Sequence, residues 1–164
     1  MSLLNTPCLL TISGPTDTGK STLLIGLINL FIAEPGYTVY DAITNTELKD
    51  ALPLTKPRKS GKHHVASHIV YIELPCGRLC GVATAGDCHK ALRSSLSKLQ
   101  NFGCITIVVA TRLKFHKTYI AAKHFAINNN FPFITFEKHR INKSINYGKL
   151  INIDLATPIF EMIK

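Results

Sequence analysis

Acidic residues are scarce in this chain. Ten Asp and Glu stand against 19 Lys and Arg among 164 residues, which leaves a formal charge of +9 and a pI near 9.5. That balance points to polyanionic partners, whether nucleotide phosphates, nucleic acid or both. It also makes the list of candidate metal ligands and general bases short. Long apolar runs are missing too. The longest, residues 23–33, is broken by Gly26 and Asn29 and falls well short of the roughly 20 residues that cross a bilayer, so no membrane partner is expected. Residues 1–13 lack the basic start and small-residue cleavage site of a secretory signal, and a cytoplasmic location is expected. Cysteines number five, an odd count, and most stand inside apolar runs, as buried thiols in a reducing compartment would. Cys76-x-x-x-Cys80 with Cys88-His89 could be drawn as a metal site, but it lacks the two-residue gap of zinc knuckles and reads as hairpin and core cysteines. No repeat or low-complexity segment occurs. With 46% hydrophobic and 18% charged residues, the chain has the material for a real core, and a single domain over residues 1–164 is expected.

Periodicity and punctuation give the expected elements. Residues 7–13 (PCLLTIS) form a short apolar run that ends at glycine, as a buried parallel strand does. A helix is expected over 20–33, apolar on nearly every side and stopped by Pro35-Gly36. Residues 37–42 read as a strand. The polar, basic segment 43–66, centred on Lys56-Pro57-Arg58-Lys59-Ser60-Gly61-Lys62-His63-His64, reads as a mobile loop with a short helix near 46–52. Strands over 68–74 and 78–84 flank Pro75-Cys76-Gly77 as a hairpin. Leu92, Leu96 and Leu99 mark one face of a helix over 88–101. A buried strand over 104–110, a helix over 118–128 and a strand over 131–136 follow. A basic loop through Lys149 leads to a last element near 151–163, with Thr157-Pro158 as N-cap and first turn. Strands alternating with helices predict an α/β three-layer sandwich on a mainly parallel sheet.

One stretch carries chemistry. Gly14-Pro15-Thr16-Asp17-Thr18-Gly19-Lys20-Ser21 fits G-x-x-x-x-G-K-[ST] at every fixed position, with an apolar strand before it and a helix after it. A strand that turns through glycines into a helix offers consecutive backbone N–H groups at the positive end of the helix dipole, a cradle for β- and γ-phosphates. Gly14 and Gly19 allow close approach, Lys20 reaches the terminal phosphate oxygens, and Ser21 holds Mg²⁺ through its hydroxyl. Thr22 adds a hydroxyl on the α-phosphate side, and Asp17 stabilises the loop's own turn.

On these residues, segment 8–33 resembles the P-loop NTPase superfamily. Pro15-Thr16-Asp17, with Thr22 after Ser21, is also similar to the loop of eukaryotic polynucleotide 5′-hydroxyl kinases, and small nucleotide kinases share the G-P start and K-S-T end. The resemblance implies a P-loop fold, bound nucleoside triphosphate with Mg²⁺, and an acid at the C-terminal edge of a strand. The strand over 104–110 ends in Thr111-Arg112 and offers none. Val82-Ala83-Thr84-Ala85-Gly86-Asp87 resembles the switch loop of small GTPases, with Ala83 where those proteins carry their metal-linked aspartate. Asp87, displaced by four positions, is the substitute candidate for the metal shell, or caps the helix that follows. Asp41, at the end of its strand, is a candidate base or metal-shell ligand, or a turn former. Glu73 superficially mimics a Walker B acid, but strand alternation turns it to solvent.

Arg112, followed by Lys114, His116 and Lys117, could neutralise a transferring phosphoryl group. The 56–64 run suits a phosphate clamp or lid better than a base-stacking platform, because it has charge without aromatics. No N-K-x-D tetrapeptide occurs, which favours ATP over GTP. A Mg²⁺-dependent ATPase or nucleotide-dependent switch is therefore expected. A small phosphotransferase acting on a nucleoside, nucleotide or polynucleotide 5′-hydroxyl is the first alternative, and a nucleic-acid-associated nucleotide-binding module the second. The sequence leaves the oligomeric state open.

Overall fold

A computed structural model describes residues 7–16, 18–53, 56–57, 63–64, 67–138 and 156–164. The apolar run after Pro7 forms β1 (Cys8–Ser13), buried along its whole length, and leads through the 14–19 turn into α1 (Lys20–Ala33). Then come β2 (Thr38–Asp41), β3 (Thr46–Glu47) and the small antiparallel pair β4 (Lys56–Pro57) and β5 (His63–His64). The hairpin strands are β6 (Ile69–Glu73) and β7 (Leu79–Ala83), closed by Leu74 and Arg78 with Gly77 at φ +77°. α2 (His89–Asn101), β8 (Thr106–Thr111), α3 (Lys117–Asn128) and β9 (Phe133–Glu137) follow, and residues 156–163 form α4.

Seven strands make one sheet in the order β3-β2-β6-β7-β8-β1-β9. Helices cover both faces. Cys8, Leu10 and Ile12 of β1, with Val108 and Ala110 of β8, face α1 and α4. Leu9, Ile107 and Val109 face α2 and α3. This alternation explains why β1 and β8 read as unbroken apolar runs: each is buried from both sides. It also explains the all-round apolar surface of α1, which lies between the sheet and α4, with Phe31 against Phe160 at 4.7 Å between ring centres.

Three expectations need correction. The sheet is mixed, not mainly parallel. β1–β8, β1–β9 and β7–β8 pair parallel, whereas β2–β3, β2–β6 and β6–β7 pair antiparallel, because β6 runs against its neighbours and turns half the sheet into a meander. The expected helix over 46–52 is instead β3 and an irregular stretch. Asp41 closes a turn whose last residue, Asn45, takes φ +56°, and this sends the chain back along β2. The side-chain amide of Asn29 on α1 then takes both backbone groups of Leu52: Nδ2 donates to its carbonyl at 3.1 Å, and Oδ1 accepts from its N–H at 2.7 Å. Finally, α4 is already helical at 156, ahead of Thr157, so Thr157 is not its N-cap. The basic loop through Lys149 lies outside the described residues. No helix among the described residues is long and apolar enough to cross a membrane.

Candidate functional site

The 14–19 turn joins the C-terminal end of β1, one strand in from the β9 edge of the sheet, to the N-terminus of α1. Gly19 is the N-cap, and its φ of +76° is a left-handed conformation that favours glycine. Among the described residues no side chain caps α1, and its first turn holds no acid, so the positive end of the helix faces the turn. Gly14 answers a close approach. A Cβ there would stand 2.4 Å from the carbonyl oxygen of Lys138, the residue that follows β9.

Lys20, the first residue of α1, is only 6% exposed. Its side chain curls back into the turn, and Nζ donates to the carbonyls of Gly14 at 3.0 Å and Pro15 at 2.5 Å, with Thr18 Oγ1 at 3.4 Å. Thr18 Oγ1 in turn donates to the Pro15 carbonyl at 2.9 Å. The turn is thus wound around its own ammonium group. Asp17, the expected turn stabiliser, lies outside the described residues.

Two neighbouring strand ends complete the edge. From α1, Ser21 Oγ donates to the carbonyl of Thr84, just past β7, at 2.9 Å. β8 separates β7 from β1, so the start of α1 spans two strand spacings, about 10 Å. At the end of β8, the backbone of Arg112 is held from two directions: Ser13 Oγ donates to its carbonyl at 2.8 Å, and its N–H donates to Thr118 Oγ1 at 3.0 Å. Its guanidinium then spans the site. Nη1 donates to Thr16 Oγ1 at 2.7 Å, and Nε meets Asp87 Oδ1 at 3.1 Å. The structure therefore brings together Lys20, Ser21, Arg112 and Asp87. A cavity of about 570 Å³ opens beside them, lined by Pro15, Thr16, Arg112, Leu113, Phe115 and His116.

Asp41 stands apart. It ends β2, four strands from β1, about 19 Å across the sheet. Its Oδ1 accepts from the N–H groups of Ile43 and Thr44 at 2.7 and 2.9 Å, which makes it a turn former. Partial burial pushes its pKa up, but the bonds from Thr44 and Ile43 and the charge of His68 together outweigh that and hold it below the usual value. Glu73 is exposed at the opposite end of the sheet, in the hairpin. Cys8, Cys80 and Cys104 are buried, whereas Cys76 and Cys88 are exposed beyond opposite ends of β7.

Among the described residues no group of three or more His, Cys, Asp or Glu could hold a metal ion. Mg²⁺ asks less of a protein when phosphates are present: one or two oxygens suffice, the rest of its octahedron being phosphate and water. By their chemistry the hydroxyl of Ser21 and the exposed carboxylate of Asp87, which also meets Arg112, are donors of that kind.

One contributor had no motif to announce it. Lys138 is buried, and its Nζ reaches the Gly19 carbonyl at 3.4 Å. The signal available was its position one residue beyond a strand, but nothing in the sequence says that this strand lies beside β1. His139, Arg140 and Lys143, grouped with it in the sequence, lie outside the described residues.

Compared with known protein families, curated proteins and solved structures, the chain matches none.

Proposed function

We propose that the chain is a P-loop protein that binds a nucleoside triphosphate with Mg²⁺, ATP by preference, and acts as an ATPase or nucleotide-dependent switch. The observation that carries this reading is the buried ammonium of Lys20, held inside a glycine-flanked turn at the uncapped start of α1. A phosphate anion in place of the Gly14 and Pro15 carbonyls would strengthen the bonds that Lys20 Nζ makes there, because hydrogen bonds between two charged groups are about twice as strong as those to neutral ones. The first-turn amides of α1 add their dipoles to the same anion.

In hydrolysis, a water oxygen bonds to the γ-phosphorus while the bond to the bridging β–γ oxygen breaks. ADP departs, and the water's proton passes to the released phosphate or to solvent. Mg²⁺ held by Ser21 and the phosphates would neutralise charge on the bridging and terminal oxygens. Lys20 takes the developing negative charge. Arg112, fixed at its backbone by Ser13 and Thr118, supplies a second cation from the β8 side, and Asp87 orients that guanidinium. One observation favours a second reading, a small phosphotransferase: the cavity bounded by Thr16, Arg112 and Phe115 has the volume of a small-molecule acceptor site.

Calorimetric titration of Mg-ATP into the wild-type protein and a Lys20→Ala variant tests the proposal, with phosphate release measured in parallel. Wild-type binding with at least a tenfold loss in the variant is expected. At 100 times the dissociation constant, ATP should stabilise the fold by about 2.7 kcal/mol. No heat and no thermal protection with the wild-type protein would overturn it. Label transferred from ATP to a supplied nucleoside, nucleotide or 5′-hydroxyl oligonucleotide would favour the phosphotransferase.

A further inference from the structure

β9 lies beside β1 in parallel register with Glu137 opposite Ser13, so the next residue arrives where the turn begins. Lys138 there touches the turn at both ends. Its N–H donates to the Ser13 carbonyl at 2.7 Å, its own carbonyl packs against Gly14, and its ammonium reaches across to the carbonyl of Gly19. At 3.4 Å that last contact is long for an N–H···O bond. The side chain is nonetheless enclosed, with the residue 8% exposed. Its neighbour in sequence does not neutralise it: Glu137 pairs with Lys114 at 2.7 Å. Burial, and then the charge of Lys20, lower the Lys138 pKa to about 8. Two enclosed ammonium groups thus bear on one turn from adjacent strands, β1 through α1 and β9.

We propose that Lys138 is a second phosphate ligand of this turn, which with Lys20 forms a two-ammonium cradle selective for a triphosphate tail over a diphosphate. The inference rests on the reading of the turn as a nucleotide site. Enclosing the Lys138 ammonium within the field of Lys20 is unfavourable, and an anion bound at the turn offsets that cost. The gain on binding therefore grows with the anion's charge, and the removal of one cation penalises the more highly charged ligand more. A structural lysine would behave in the opposite way, because its loss would weaken the unliganded fold.

The test compares wild type, Lys138→Met, Lys138→Arg and Lys20→Ala near pH 7.5. ATP, ADP and inorganic tripolyphosphate are titrated by calorimetry, and unliganded melting temperatures are measured. In Lys138→Met, the unliganded melting temperature should rise, affinity for ATP and tripolyphosphate should fall at least tenfold, and affinity for ADP should fall less. Lys138→Arg should recover part of the triphosphate affinity. A lower unliganded melting temperature, an unchanged ATP affinity or an equal loss for ATP and ADP would each overturn the proposal. ATP binding that is lost in Lys20→Ala but intact in Lys138→Met defeats this inference alone. No ATP binding by wild type defeats the nucleotide reading itself.

Discussion

Replacing Gly14 with Ala sets a methyl group against a backbone atom that has little room to retreat. The added Cβ would lie 2.4 Å from the Lys138 carbonyl oxygen, where ordinary contact begins at 3.4 Å, so about 1 Å must be found. β9 is paired with β1 along all five of its residues, and the Lys138 N–H is tied to Ser13 at 2.7 Å. Relief therefore requires lifting Lys138 off the turn. Overpacking of this kind costs about 1–3 kcal/mol, and the hydrogen bond to Ser13 adds about 1. At roughly 2–4 °C per kcal/mol for a chain of this size, melting should fall by roughly 4–16 °C. Gly26→Ala is the matched control. It lies inside α1, where a Cβ would meet only the Ala156 methyl at 4.0 Å. The same substitution there should stabilise by about 0.5–1 kcal/mol, since Ala is the better helix former. Thermal unfolding followed by circular dichroism reads both. A Gly14→Ala protein that melts with wild type would refute the packing described between the turn and Lys138.

Other expectations follow from the same geometry. Arg112→Ala should slow phosphate release at least tenfold while changing stability by no more than about 1 kcal/mol, because its ion pair with Asp87 is partly exposed; Lys at this position should not restore the rate, lacking the planar fork that spans Thr16 and Asp87. For Lys138, the lowered pKa means that the folded protein releases this proton first as pH rises, so the unfolded chain holds more protons between about 8 and 10.5. Unliganded stability should gain up to about 3 kcal/mol across that window, and the advantage of Lys138→Met over wild type in urea unfolding should shrink accordingly; a gap constant from pH 7.5 to 9.5 contradicts this. Asp41, whose pKa is also lowered, has the same sign of slope but in the acid range. Its contribution is present above the ordinary carboxylate value of 3.8 and lost as pH falls below it, so Asp41→Asn should flatten the acid limb of a stability profile.

Much of the architecture was legible from residue patterns. β1, α1, the β6–β7 hairpin, α2, β8 and α3 fall where apolar runs, helical spacing and Gly or Pro stops place them, because each is decided by local burial. Strand direction was not legible. Whether β6 runs with or against β8 depends on which strands become neighbours, and this is settled by contacts far apart in sequence. β3 was misread because two residues carry no period, and its true determinant is the turn at Asp41 and Asn45. Within the candidate site, the 14–21 motif and Arg112 stood out by spacing and strand position. Lys138 did not, since 118 positions separate it from Lys20 and only sheet order brings them to one turn.

The grip of Asn29 on Leu52 has a practical consequence for the basic segment. One end of that excursion is pinned to α1 at Leu52, and the other is pinned where the N–H of His68 meets Thr84 Oγ1 at 2.8 Å. The chain between these two anchors is a cassette with fixed sockets. Both sockets grip backbone groups through the side chains of Asn29 and Thr84, so substitutions at 52 and 68 keep these bonds, whereas losing the Asn29 amide or the Thr84 hydroxyl opens one of them.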